Sequence, residues 1–387
     1  MSELESQLRE CLSSSVNVYG VVLKKLDDVI TAMDEGRCTP RDDMIMAYPR
    51  PEAEKSITPA LGFFSKVYLY QNARLPPYLP PLQIHPQTYT LIHLAAQHSL
   101  DVYSKPAAAD AAYITPKTRH GTKATLIKTH AIDDIHTIII SIRGTQTFRD
   151  WTVNMRTSPR SPSNFLDDPL NLVHAGFLSV AQKMTASVAA RLRTLLTESP
   201  SRASYSLLFT GHSAGGAVAA LLYAHMRSTT SHSDLTHLHG FFRRVHCVTF
   251  GAPPITLRPL YAAGARDAIF FSFVNEGDPV PRADKGYVTS LMNLYVAPAP
   301  APASAAGPTR REARLRLRGR PVVWRVPAAT LSVAGLVVVL RHGQFGMEAC
   351  VTSDTTLRQV VFGDPLMHMM DLYARRIYEL ALSKRTK

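Results

Sequence analysis

The 387-residue chain predicts an α/β fold, a mostly parallel central sheet with helices on both faces. Three observations lead there. From about Lys123 onward, short apolar runs alternate with longer amphipathic ones, the texture of a right-handed βαβ sheet. The run HTIIISIRG is apolar without alternation, as a central strand buried on both sides must be. Gly211-His212-Ser213-Ala214-Gly215 then lies between an apolar strand and a helix of small residues.

The elements follow in order. Leu4, Leu8, Val18, Val22 and Leu26 fall near helical spacing and predict a helix within residues 2–35. Residues 39–86 are broken by prolines, densely at Pro76, Pro77, Pro80 and Pro81, and predict irregular wrapping. Residues 1–85 thus form a helical and Pro-rich extension before a domain spanning 86–387. A helix is expected from Gln87 to Tyr103, with Leu91, Leu94, Ala95 and His98 on one face. Strands are expected at ATLIKTHAI and HTIIISIRG, and a long amphipathic helix after His174 through Phe177, Val180, Val188 and Leu192. The strand YSLLFT, a helix from Gly215 to Met226, and the strands VHCVTF and IFFSFV come next. The apolar run from about Ala328 to Leu340 is too short for a bilayer, which needs about 20 residues. Flanked by Arg325 and Arg341 and holding Gly335, it predicts a buried strand or hairpin.

Residues from about 297 to 320 interrupt this order. A Pro/Ala tract, APAPAPASAAGPT, cannot bury a core and predicts a disordered insertion; the arginine-dense RREARLRLRGR follows it. The arginines read as a solvated loop, with a membrane-surface or nuclear-import contact as the alternative. The net charge of +13 suits an anionic partner such as a membrane or lipid-droplet surface. No nucleic-acid recognition motif accompanies it, so no nucleic acid is expected. The N-terminus lacks the apolar core of a secretory signal, and Cys11, Cys38, Cys247 and Cys350 are scattered without a CxxC pair. Reduced thiols in an intracellular, cytoplasmic protein are expected, with no metal site.

The candidate chemistry starts at Ser213. A serine on a sharp strand-to-helix turn projects clear of the backbone, and glycines two positions either side leave room for the chain to cross. A serine is too weak an acid to attack a carbonyl unaided, so a carboxylate and a histidine must follow it, in that order in such a sheet. Asp278, in the turn Asn275-Glu276-Gly277-Asp278-Pro279-Val280-Pro281 after IFFSFV, is the acid expected, with Glu276 and Asp284 as alternatives. Beyond it only His342 and His368 remain. His368 lies where Asp364 and Pro365 predict a helix start and is the expected base; His342 is the alternative.

From about residue 90 to about 380, omitting the insertion, the chain resembles the class 3 lipases, the fungal-type triacylglycerol lipases of the α/β-hydrolase fold. The likeness rests on Ile142-Arg143-Gly144-Thr145 with Asp150-Trp151, Val173-His174-Ala175-Gly176-Phe177, the Gly211–Gly215 elbow, Thr249-Phe250-Gly251-Ala252-Pro253 and Asp278-Pro279-Val280-Pro281. The resemblance implies Ser213 as nucleophile, Asp278 as acid and His368 as base. It further implies an oxyanion hole from Thr145 and the Ala214 amide, and a lid at Gln146–Asn154 carrying Phe148 and Trp151. For Trp151, packing in the core is an equal reading. Three features depart from the family pattern: Ala214 stands where a Leu is usual, the His368-to-Tyr373 spacing differs, and the secretory signal and disulfides of most familiar members are not evident, so the resemblance is better to the family's intracellular branch. The implied activity is hydrolysis of a carboxylic ester of a lipid, acylglycerol foremost, through an acyl-enzyme and without a cofactor. A phospholipase or small-ester esterase would use the same residues, and a non-catalytic scaffold would keep only the fold.

Overall fold

A computed structural model describes residues 64–104, 113–116, 122–132, 135–144, 158–261, 268–297 and 322–385. The helix expected within 2–35, the segment 145–154 and nearly all of the expected insertion lie outside the described residues.

Eight strands form the main sheet: β1 (Tyr113–Ile114), β2 (Thr125–Ile132), β3 (Ile135–Ile142), β6 (Ser206–His212), β7 (Val245–Phe250), β8 (Phe270–Asn275), β9 (Leu336–Gly343) and β10 (Gly346–Thr352), in that spatial order. β4 (Pro159–Arg160) and β5 (Val173–His174) pair separately. The run β3-β6-β7-β8-β9 is parallel, and antiparallel strands close each side. β3 is therefore the switch strand, antiparallel to β2 and parallel to β6, rather than flanked by parallel neighbours alone. The apolar run ending at Leu340 becomes β9, the first arm of the hairpin expected there.

The five longer helices are α1 (Pro86–Asp101), α2 (Ala175–Glu198), α3 (Ala214–Met226), α4 (Lys285–Val296) and α5 (Met370–Arg385). Strand residues point alternately to opposite faces, and both faces are covered. Ile138, Ile140, Ile142, Leu207 and Phe209 meet α2 and α3; Ile139, Leu208, Val248 and Phe250 meet α1 and α5. That two-sided burial is why these strands read as unbroken apolar runs, each such side chain contributing about 1.5–3 kcal/mol. On α1 the buried residues are Tyr89, Ile92, Ala95, Ala96, His98 and Ser99. Leu91 and Leu94, expected on its core face, are half-buried, because the helix lies between the sheet and α5. No described helix is long and apolar enough to cross a membrane.

Of the residues expected as an N-terminal extension, 64–85 are described, and they pack into the body. Phe64, Val67, Tyr70 and Ala73 share a cluster with Tyr287, Leu291 and Leu294 of α4. The Pro-rich stretch covers the edge of β10: Pro80 accepts from the Val351 amide and Leu82 donates to Ala349. Prolines suit that position because an edge segment has no second ladder for their missing N–H to serve.

Candidate active site

β6 ends at His212, and Ser213 follows with φ 57° and ψ −133° as the N-cap of α3. An L-residue in that conformation costs on the order of 1–2 kcal/mol, so the surroundings must impose it. They do so through the glycines. A Cβ on Gly215 would collide with the Ile142 carbonyl, and one on Gly211 would lie 2.7 Å from the Gly215 carbonyl carbon. The Ser213 amide donates to the Phe250 carbonyl at 2.9 Å, which locks the turn to β7. Ala214 is the first residue of α3, where an amide has no intrahelical acceptor and the helix end favours negative charge. Gly144 passes alongside: a Cβ there would sit 3.3 Å from that of Ser213. Thr145, the next residue, lies outside the described residues.

Asp278 follows β8 and is fully buried. Its Oδ1 accepts the Val280 amide at 2.8 Å, and its Oδ2 accepts the Tyr373 hydroxyl at 2.6 Å. His368 Nδ1 stands 3.0 Å from Oδ2 and 3.1 Å from Oδ1. A carboxylate only accepts, so Nδ1 carries a proton and Nε2 is left to take one. The structure thus brings Asp278 and His368 together. Glu276 instead accepts the Leu75 amide at 3.0 Å, and Asp284 caps α4 through the Tyr287 amide at 2.8 Å. His342 sits exposed on β9 opposite Met347. The capping expected near His368 is present in altered form. Asp364 and Pro365 open a short 3-10 turn, Pro365–His368, and α5 begins only at Met370.

Further residues join the site that the sequence did not single out. The His212 ring lies 4.5 Å from that of His368, and its Nε2 bonds the His368 carbonyl at 2.7 Å. Because a carbonyl accepts, His212 Nδ1 must accept from the Tyr103 hydroxyl, 3.0 Å away. Burial, then the neighbouring His368, pushes its pKa well below the ordinary histidine value and keeps the ring neutral. Asn275 Nδ2 donates to the Met367 carbonyl at 2.9 Å, and Arg376 Nη1 donates to Asn275 Oδ1 at 2.9 Å. Tyr373 also accepts the Asn275 amide at 2.8 Å. His212 and Asn275 stand inside the quoted motifs, but nothing local links Tyr103 to a histidine 109 positions away.

Among the described residues no group of three or more His, Cys, Asp or Glu side chains could hold a metal ion. Cys247 and Cys350 are buried free thiols. Taken together, the arrangement offers a hydroxyl on a strained elbow at a helix N-terminus and an imidazole held by a buried carboxylate, the two joined through His212. Such a set can carry nucleophilic acyl transfer.

Comparison with known proteins gives the same direction. Residues 139–286 match the family described as lipase (class 3). A secreted mono- and diacylglycerol lipase from Fusarium solani is 28% identical over 149 residues, 37% of this chain and 40% of that protein. The chain therefore aligns with well under half the length of that relative. Among solved structures, a Rhizomucor miehei lipase propeptide complex superposes with a TM-score of 0.47 at 18% identity, covering 86% of this chain and 92% of that one. A triacylglycerol lipase from Penicillium expansum gives 0.47 at 14% identity, over 77% and 100%. The class 3 lipase resemblance drawn from the sequence is borne out by the family match. So is the α/β-hydrolase fold, by a mostly parallel sheet with the elbow after a central strand.

Proposed function

We propose that the chain is a serine hydrolase of lipid carboxylic esters, with acylglycerol as the substrate class, acting through an acyl-enzyme. The observation that carries it is the strained Ser213 elbow, whose preceding residue His212 has its ring 4.5 Å from that of His368, itself hydrogen-bonded to Asp278. The acylglycerol assignment leans on the likeness to the Fusarium solani protein.

In this reading Ser213 Oγ attacks the ester carbonyl carbon while its proton passes to His368 Nε2. Asp278 holds the imidazole orientation and stabilises the imidazolium. The Ala214 amide, with Thr145 as the second donor, receives the oxyanion; such donors are each worth on the order of 10²–10³ in rate. His368 returns the proton to the departing alcohol, leaving an ester on Ser213. Water then attacks that ester, His368 takes its proton, and the fatty acid leaves as Ser213 is restored. Every step uses the chain's own backbone and side-chain groups and water. The positive net charge supports peripheral contact with an anionic lipid surface, and the buried free thiols support a cytoplasmic setting.

The test is hydrolysis of p-nitrophenyl esters of graded acyl length and of emulsified acylglycerol, wild type beside Ser213→Ala, with fluorophosphonate labelling in parallel. Serine-dependent activity that rises with chain length and at the emulsion surface is expected. Activity confined to short soluble esters would replace lipase by esterase, and a folded protein that neither turns over nor labels would overturn the reading.

A further inference from the structure

The short turn carrying His368 is held from a direction that no motif announced. Asp364 caps it, its Oδ1 accepting the Leu366 amide at 3.1 Å. Its own amide donates to the Gly277 carbonyl at 3.0 Å, one residue before Asp278. Its other oxygen, Oδ2, accepts the Tyr68 hydroxyl at 2.8 Å. Tyr68 comes from the 3-10 turn Ser65–Leu69, which lies outside the residues that match the lipase family. A Cβ on Gly277 would fall 2.9 Å from that hydroxyl and 3.0 Å from Met367 Cγ, so the acid turn, Tyr68 and the base turn are in mutual contact.

We propose that Tyr68 is a positioning residue for His368, acting through Asp364, so that the N-terminal segment completes the catalytic site. The inference rests on the serine-hydrolase reading above. Asp364 is 8% exposed. Burial pushes its carboxyl pKa up, and the Tyr68 hydrogen bond, the Leu366 amide and Arg376 of α5 pull it back. Asp278 faces it from the acid turn and opposes them, while Tyr295 of α4 donates to the adjacent Gly363 carbonyl. Arg74, on the N-terminal segment, lies near Tyr68, and His368 itself is faced by Asp278 and His212. Removing the hydroxyl takes one donor from a buried carboxylate and favours its neutral, protonated form. The cap then weakens, the base loses its fixed placement, and a negative charge that favours the imidazolium disappears.

The experiment uses the full chain and p-nitrophenyl butyrate, comparing wild type, Tyr68→Phe, Asp364→Asn and the double variant, with folding checked by near-ultraviolet circular dichroism. The expected result for Tyr68→Phe is a kcat about tenfold lower with KM little changed. Its acid limb of kcat/KM against pH moves to lower pH, because His368 becomes less basic. Asp364→Asn should move the limb the same way, and the double variant should add little to either. A purely structural tyrosine would lower the folded fraction and leave the limb where it is. If Tyr68→Phe fails to fold, the limb of Asp364→Asn decides, since its single side-chain oxygen serves either the Leu366 amide or the Tyr68 hydroxyl but not both. Wild-type kcat and an unmoved limb in a folded variant overturn the proposal. Absence of Ser213-dependent activity in the wild type would instead overturn the hydrolase reading on which it rests.

Discussion

Gly251→Ala tests the acid–base geometry with a single methyl group. Gly251 follows β7 with φ +55°, and a Cβ there would stand 2.8 Å from Asp278 Oδ2 and 2.9 Å from His368 Nδ1. Ordinary contact begins near 3.4 Å, so the two atoms must retreat by 3.4 − 2.8 = 0.6 Å and 3.4 − 2.9 = 0.5 Å. They are the two ends of the 3.0 Å hydrogen bond that orients the proposed base, and Asp278 Oδ2 is already held by Tyr373. Displacement therefore falls mainly on the imidazole. A misplacement of about 1 Å costs on the order of 10²-fold in rate, so about half that displacement costs roughly tenfold, or about 1.4 kcal/mol of transition-state stabilisation. The left-handed backbone adds a separate penalty of about 1–2 kcal/mol to folding. In the p-nitrophenyl ester assay kcat should fall by that order while KM changes little, and the melting temperature should drop by several degrees. Wild-type kcat in a folded Gly251→Ala protein would refute the argument that this backbone approach holds the pair.

Tyr373→Phe removes a hydroxyl that serves the buried Asp278 carboxylate and the Asn275 amide. Stability should fall by about 1–3 kcal/mol in denaturant titration, with kcat/KM down at least tenfold; a loss of stability alone would make the tyrosine merely structural. Acid should destabilise the fold. Burial, before any neighbouring charge, lowers the pKa of both His98 and His246 to about 4. Well above the unfolded value of about 6.5 both are neutral folded or unfolded, so their full stability is present there. As pH falls from about 6.5 toward 4 only the unfolded chain takes up the protons, and each histidine costs about 1.4 kcal/mol per pH unit. Melting temperature should decline over that window, and His246→Gln should flatten the decline; equal slopes would discount His246.

The order of the parts is legible in the local sequence. The runs Ile138–Ile142 and Val245–Phe250 carry apolar residues on both strand faces, which only burial on two sides satisfies, and they form β3 and β7. The glycines at 211 and 215 announced a chain crossing, and the order of carboxylates and histidines after Ser213 reduced the candidates to a few. Which of those candidates meet depends on the folded chain. His342 and His368 are equally histidine in the sequence, but β9 carries one out to solvent and the Asp364-capped turn carries the other to Asp278. The antiparallel seam at β2, the burial of residues 64–85 against α4, and the contacts of Tyr103, Tyr68 and Tyr373 were equally hidden. The physical reason is range. Periodicity, caps and turn chemistry act within a few residues and leave a local trace. A hydrogen bond between Tyr68 and Asp364 spans 296 positions, and its energy depends on burial that exists only once the sheet has closed.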